Sequence, residues 1–117
     1  MANHPVANID ARAKCVTLVN VYDVEPEKQA ELIRALSEAT ERVIRHQPGF
    51  VSVSLHRSLD GGKVVNYAQW KSQEHFENFM KHPATQEQLK RFASLAKGVS
   101  PALYEVSAVH AEPDHAA

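Results

Sequence analysis

Apolar and polar positions change period several times along this chain, and the order of those periods predicts its elements. Residues 15–24, Cys15-Val16-Thr17-Leu18-Val19-Asn20-Val21-Tyr22-Asp23-Val24, are rich in β-branched side chains and read as a strand. Pro26 suits the first turn of a helix, where its missing N–H has no partner to lose. Glu25 and Glu27 sit favourably at that positive helix end. Leu32, Ile33, Leu36, Ala39, Val43 and Ile44 then recur at helical spacing over residues 26–46, with Glu31, Arg34, Glu38, Glu41 and Arg45 on the opposite side. Pro48-Gly49 breaks the helix. Residues 50–58 and 63–70 alternate again, and Asp60-Gly61 between them is a hairpin signal. Ser72 can cap a short helix with Glu74 in its first turn. Pro83 divides it from a second helix that carries Leu89, Phe92, Ala93 and Ala96, and Gly98 and Pro101 end that one. A last strand is expected over residues 103–110.

The order is β-α-β-β-α-β with the second helix broken, which makes the fold α+β, a ferredoxin-like sandwich. Both faces of its sheet carry apolar side chains. Val19 and Val21 alternate with Leu18 and Tyr22, and Val65 and Tyr67 with Val64 and Ala68. Helices cover only one face, so the other needs a second cover. Pairing with another copy, sheet against sheet, supplies it, and a homodimer in the manner of a dimeric α/β barrel is expected. Residues 1–13 read as a flexible arm, 14–111 as the domain and 112–117 as a tail.

Length and composition change this picture little. The 117 residues make one domain. A net charge of -1 gives no basic stripe, so no nucleic-acid partner is expected. No apolar run is long enough to span a bilayer, so no membrane partner is expected either. The N-terminal stretch lacks the apolar core of a secretory leader, and the single cysteine, Cys15, cannot form an internal disulfide. A reducing, cytoplasmic setting is the expectation.

Candidate chemistry gathers on the third strand. Alternation puts Val64, Asn66, Ala68 and Trp70 on one face. An even-numbered loop at Asp60-Gly61 sets Leu55 opposite Asn66 and Val53 opposite Ala68, so Asn66 and Trp70 fall among Val51, Val53 and Leu55. A carboxamide and an indole N–H in such surroundings need partners, and a ligand can be one. Asn20 shares its face with Leu18 and Tyr22. If that face also meets the helices, Asn20, Asn66 and Trp70 line one cavity. A strand Asn bonded to a loop, or a Trp that is only core, is the bland alternative. His46, His75, His82 and His115 read as solvated. His56 shares a face with Ser52, Ser54, Val65 and Tyr67, away from the cavity. No His, Cys or acidic cluster has metal-ligand spacing, and no Gly-rich phosphate cradle is present, so no metal and no cofactor are expected.

Pro48-Gly49-Phe50, Ser52, His56, Ser58, Asp60-Gly61 and above all Val64-Val65-Asn66-Tyr67-Ala68-Gln69-Trp70 resemble the antibiotic-biosynthesis monooxygenase family. The similarity runs over residues 17–110 and looks closest to the cofactor-independent oxygenases that form anthraquinones and other quinones in aromatic polyketide pathways. The resemblance implies an enzyme that uses dioxygen without metal, haem or flavin. The deprotonated aromatic substrate supplies the electron to dioxygen, and a peroxy intermediate collapses to the quinone. It implies that Asn66 and Trp70 contact substrate or oxygen, with Asn20 matching a first-strand asparagine of some members. Tyr22, Val53, Leu55, Phe76 and Phe79 are then the expected substrate contacts.

Two positions depart from that pattern. Some members carry a tyrosine where this chain has Phe76, which holds no proton to give. Tyr22, Tyr67 and Tyr104 are the candidate replacements. Some carry an arginine on the following helix, where Lys90 or Arg91 is the candidate. A non-catalytic module that binds a small aromatic ligand is the alternative function. Haem breakdown ranks third, because its tryptophan and axial histidine fall near Phe79 and Leu89, and carbon side chains cannot ligate iron.

Overall fold

The computed structural model describes residues 4–113. The chain runs β1 (Val16–Asp23), α1 (Pro26–Arg42), a single 3-10 turn (Ile44–His46), β2 (Phe50–Arg57), β3 (Lys63–Trp70), α2 (Gln73–Lys81), α3 (Pro83–Ser94) and β4 (Gly98–Tyr104). The strands form one antiparallel sheet in the order β2-β3-β1-β4, the ferredoxin-like arrangement. The α1 crossover carries the chain from β1 past the slot that β3 later fills. The helices pack on one face.

Local chemistry explains most boundaries. Pro26 opens α1, with Glu27 in its first turn and Arg42 in its last. Leu32, Ala35, Leu36 and Ala39 form its buried stripe. Regular α-helix ends at Arg42, short of residue 46, because Val43 leaves helical geometry at φ -127° and ψ -55°. Gln29 ties α1 to the β2–β3 hairpin, its Nε2 donating to the carbonyls of Ser58 at 3.1 Å and Lys63 at 3.0 Å. Ser72 caps α2 by accepting from the His75 amide at 3.1 Å.

The hairpin register puts Leu55 opposite Asn66 and Val53 opposite Ala68, as the alternation predicts. Three details differ from expectation. A bulge between Phe50 and Ser52 turns Val51 out to solvent, and Phe50 takes the place opposite Trp70. The last strand spans Gly98–Tyr104 and so begins before Pro101, which lies opposite Asn20. Proline is tolerated there because β4 is an edge strand and one side of it needs no donor. His75 is half-buried, its Nδ1 2.7 Å from Ser72 Oγ and its ring against Gly49. His115 lies outside the described residues.

The core gathers Tyr22, Val24, Leu32, Ala35, Leu36, Ala39, Val64 and Phe92 between sheet and helices. On the other face Val19, Val21, Val65 and Tyr67 are half-buried. The N-terminal residues cross one end of that face, where Gln69 Nε2 donates to the Asn8 carbonyl at 3.0 Å and Ser52 donates to Gln69 Oε1 at 2.7 Å.

Gly49 joins the start of β2 to the end of β3, accepting from the Lys71 amide at 2.8 Å with φ +85°. A Cβ there would stand 2.2 Å from His75 Cγ. The Gly49→Ala change should therefore cost at least about 2 kcal/mol, from left-handed backbone strain together with the clash. Urea denaturation checks this, and an unchanged midpoint would contradict it.

Candidate active site

Between sheet and helices lies a cavity of about 80 Å³. Its floor is the helix-facing side of the sheet: Leu18, Asn20 and Tyr22 from β1, Asn66, Ala68 and Trp70 from β3, and Val53 from β2. Phe76, Phe79 and Met80 of α2 close it from above, with Ala84, Thr85, Gln88, Leu89 and Phe92 of α3. Period-two alternation delivers the floor residues, since every second side chain of a strand meets the same layer.

Asn20 and Asn66 are direct partners across the β1–β3 ladder, so two carboxamides stand side by side in an apolar layer. The Asn20 Nδ2 donates to the Tyr22 hydroxyl at 3.2 Å. The Oδ1 atoms of both asparagines are buried without a hydrogen-bond partner. Such atoms are rare in folded proteins, and these two border the cavity.

Trp70 is 1% exposed, the most deeply set aromatic ring of the floor. Its ring stacks on Phe79 with centroids 4.9 Å apart and meets Phe50 and Phe76 edge-on at 6.0 and 6.2 Å. One indole face is therefore already occupied, so Trp70 frames the cavity wall while Phe79 covers it.

Of the three tyrosines, Tyr22 alone reaches the cavity. Tyr67 lies on the opposite sheet face, and Tyr104 is 54% exposed on β4. Burial pushes the Tyr22 phenol up to about 12. It therefore holds its proton near neutral pH. Because its oxygen accepts from Asn20, its own proton is free to point elsewhere.

Several sequence candidates fall outside the cavity. Leu55 faces the helices but packs into the core cluster. Lys90 pairs with Glu87 on the outside of α3 at 3.9 Å, and Arg91 borders a surface groove with Glu31 and Glu38. Among the α3 side chains that line the cavity is Gln88, whose Oε1 is buried with no partner. Its signal was present: Thr85, Gln88, Leu89 and Phe92 form the helical stripe that faces inward. Phe79 and Leu89, the positions matching the haem-ligating pattern, present only carbon to the same space. Among the described residues, no three His, Cys, Asp or Glu side chains converge as a metal site requires.

Comparison with known proteins adds the family. Its model, antibiotic biosynthesis monooxygenase, matches residues 15–95. The chain belongs to that family. Over 81 residues it is 49% identical to tetracenomycin-F1 monooxygenase of Streptomyces glaucescens, spanning 69% of this chain and 72% of that one. The monooxygenase from the gene ActVA-Orf6 of Streptomyces coelicolor, solved with nanaomycin D, superposes with a TM-score of 0.77 at 30% identity, over 88% of this chain and 96% of that chain. SnoaB, a cofactor-independent oxygenase from Streptomyces nogalater, superposes at 0.71 with 25% identity, over 87% and 100%.

The buried phenol has a consequence for stability. An unfolded tyrosine ionises near pH 10, whereas Tyr22 holds its proton to about 12. Between those values only the unfolded state releases the proton, so folding stability falls as pH rises. Melting temperature should therefore begin to drop above pH 10, and less steeply in Tyr22→Phe. Parallel alkaline profiles for the two proteins would contradict this.

Proposed function

We propose that this member of the family oxidises a phenolic substrate, an anthrone or a hydroquinone, to the corresponding quinone with dioxygen and without a metal or organic cofactor. The observation that carries the reading is the paired Asn20–Asn66 carboxamides, set without partners for their oxygens in an apolar cavity beside a protonated phenol. The names of the relatives support the reaction class, and the nanaomycin D held by a structural neighbour supports an aromatic ligand.

For an anthrone the step balances as follows. The ring methylene gives a proton to a solvent base, and the resulting enolate passes one electron to dioxygen. Carbon radical and superoxide join through a new C–O bond, and one proton completes a hydroperoxide. Loss of the remaining C–H proton breaks the O–O bond, leaving a carbonyl and, with a second proton, water. One oxygen atom is retained and the other leaves as water.

The residues serve charge and protons. The Asn66 amide N–H groups hold the enolate or peroxide oxygen where negative charge grows, the work of an oxyanion hole. Asn20 orients the Tyr22 hydroxyl, whose proton is available to the departing oxygen. Tyr22 thereby fills the role that Phe76 cannot. The surrounding Leu18, Val53, Phe76 and Phe79 exclude water from the intermediate.

The same reading takes the protein as a cytoplasmic homodimer. No helix among the described residues is long and apolar enough to cross a membrane. The half-buried Val19, Val21, Val65 and Tyr67 give the dimer its contact face.

Two measurements test these statements. Oxygen uptake on anthrone by chelator-treated protein should fall on the order of a hundredfold in Asn66→Ala while the variant stays folded. Full activity in that variant, or none in the parent protein, would overturn the assignment. Light scattering at micromolar concentration should return twice the chain mass, and a monomer mass would remove the face-to-face dimer.

A further inference from the structure

Gln88 is the side chain of the cavity roof with an unpartnered polar atom, and the proposed reaction gives it no role. It projects from α3, on the same stripe as Thr85, Leu89 and Phe92, across the cavity from the Asn20–Asn66 floor. Its Oε1 is buried and accepts from nothing. A glutamine on an inward stripe gives up solvation of its carboxamide, and within the folded chain nothing compensates that oxygen. Leucine or methionine would fill the same space at lower cost. The residue therefore reads as part of a binding surface and not as core.

The chemistry of the ligand follows from the three orphan oxygens, those of Asn20, Asn66 and Gln88. All three are acceptors, and they sit on opposite walls. A ligand that satisfies them must offer more than one O–H donor around a flat, apolar ring system. A planar aromatic with hydroxyls on separate positions meets that demand, and an unsubstituted ring system does not. We propose that Gln88 is a specificity residue that accepts a hydrogen bond from a ring hydroxyl remote from the reacting carbon, so that the site selects polyhydroxylated aromatics over their deoxy counterparts. This rests on the aromatic-substrate reading above and adds the substituent pattern to it.

The chain's one tryptophan, Trp70, lines the cavity and reports binding without turnover. Quenching of its fluorescence under anaerobic conditions gives dissociation constants for dithranol and for its unhydroxylated parent, anthrone. The parent protein should bind dithranol more tightly than anthrone. Gln88→Met, close in length but with no acceptor, should weaken dithranol roughly tenfold and leave anthrone unchanged, as expected for one lost hydrogen bond. Gln88→Glu keeps an acceptor at the same place and should keep the preference. The melting temperature of unliganded Gln88→Met should hold or rise, since an orphan oxygen has been removed. Equal affinity for the two compounds in the parent protein, an equal loss for both in Gln88→Met, or a lower melting temperature in that variant would each overturn the proposal. Because the titration needs no turnover, missing oxygen uptake would remove the monooxygenase reading and leave the Gln88 result readable.

Discussion

A carboxamide carried out of water into an apolar layer must find a partner, and much of this molecule is arranged around two that half succeed. Asn20 and Asn66 face each other across the central ladder, where β1 and β3 place them by register alone. One donor is absorbed by Tyr22, and the oxygens remain unmet. A core that existed only to be stable would hold valines there, as it does at Val64 on the same face. Two unmet acceptors in the middle of a small domain weigh heavily against a margin of stability that is only a few times larger. The buried stripe of α1 and the aromatic contacts around Trp70 make that deficit tolerable.

The parts of the fold set by local chemistry were readable in advance. Asp60-Gly61 turned the hairpin, and once the turn was placed the pleat determined every face of β2 and β3 beyond the bulge. Ser72 capped α2 and Pro26 opened α1 for reasons that act within a few residues. What escaped depended on neighbours distant in sequence. Pro101 reads as the end of a helix, yet it lies within a strand, where its position at the sheet edge removes the cost of a missing donor. The bulge at Val51 left no mark in the alternation.

The site divides along the same line. Its floor could be named from the strands, because period two is rigid. Of its roof, Phe76 and Phe79 came with the family resemblance, but the α3 part was missed, because a helix spreads its side chains over a full turn and charge drew attention to Lys90 and Arg91. Both point to water, and the uncharged Gln88 between Glu87 and Leu89 is the side chain turned inward. Choosing among the tyrosines likewise required knowing which sheet face each one occupies. The cavity is also smaller than the roughly 300 Å³ at which small-molecule pockets usually begin. Two short helices joined at His82–Pro83 form much of its cover.

The sheet's two margins have a consequence for how copies of the chain meet. An open strand edge is a template for another strand and a route to fibrous aggregation. Here one margin is β4, interrupted by Pro101, and the other is β2, distorted by its bulge and ending in the exposed side chains of His56 and Arg57. Neither offers an unbroken row of donors and acceptors. Both margins therefore resist the lateral pairing through which open sheets propagate.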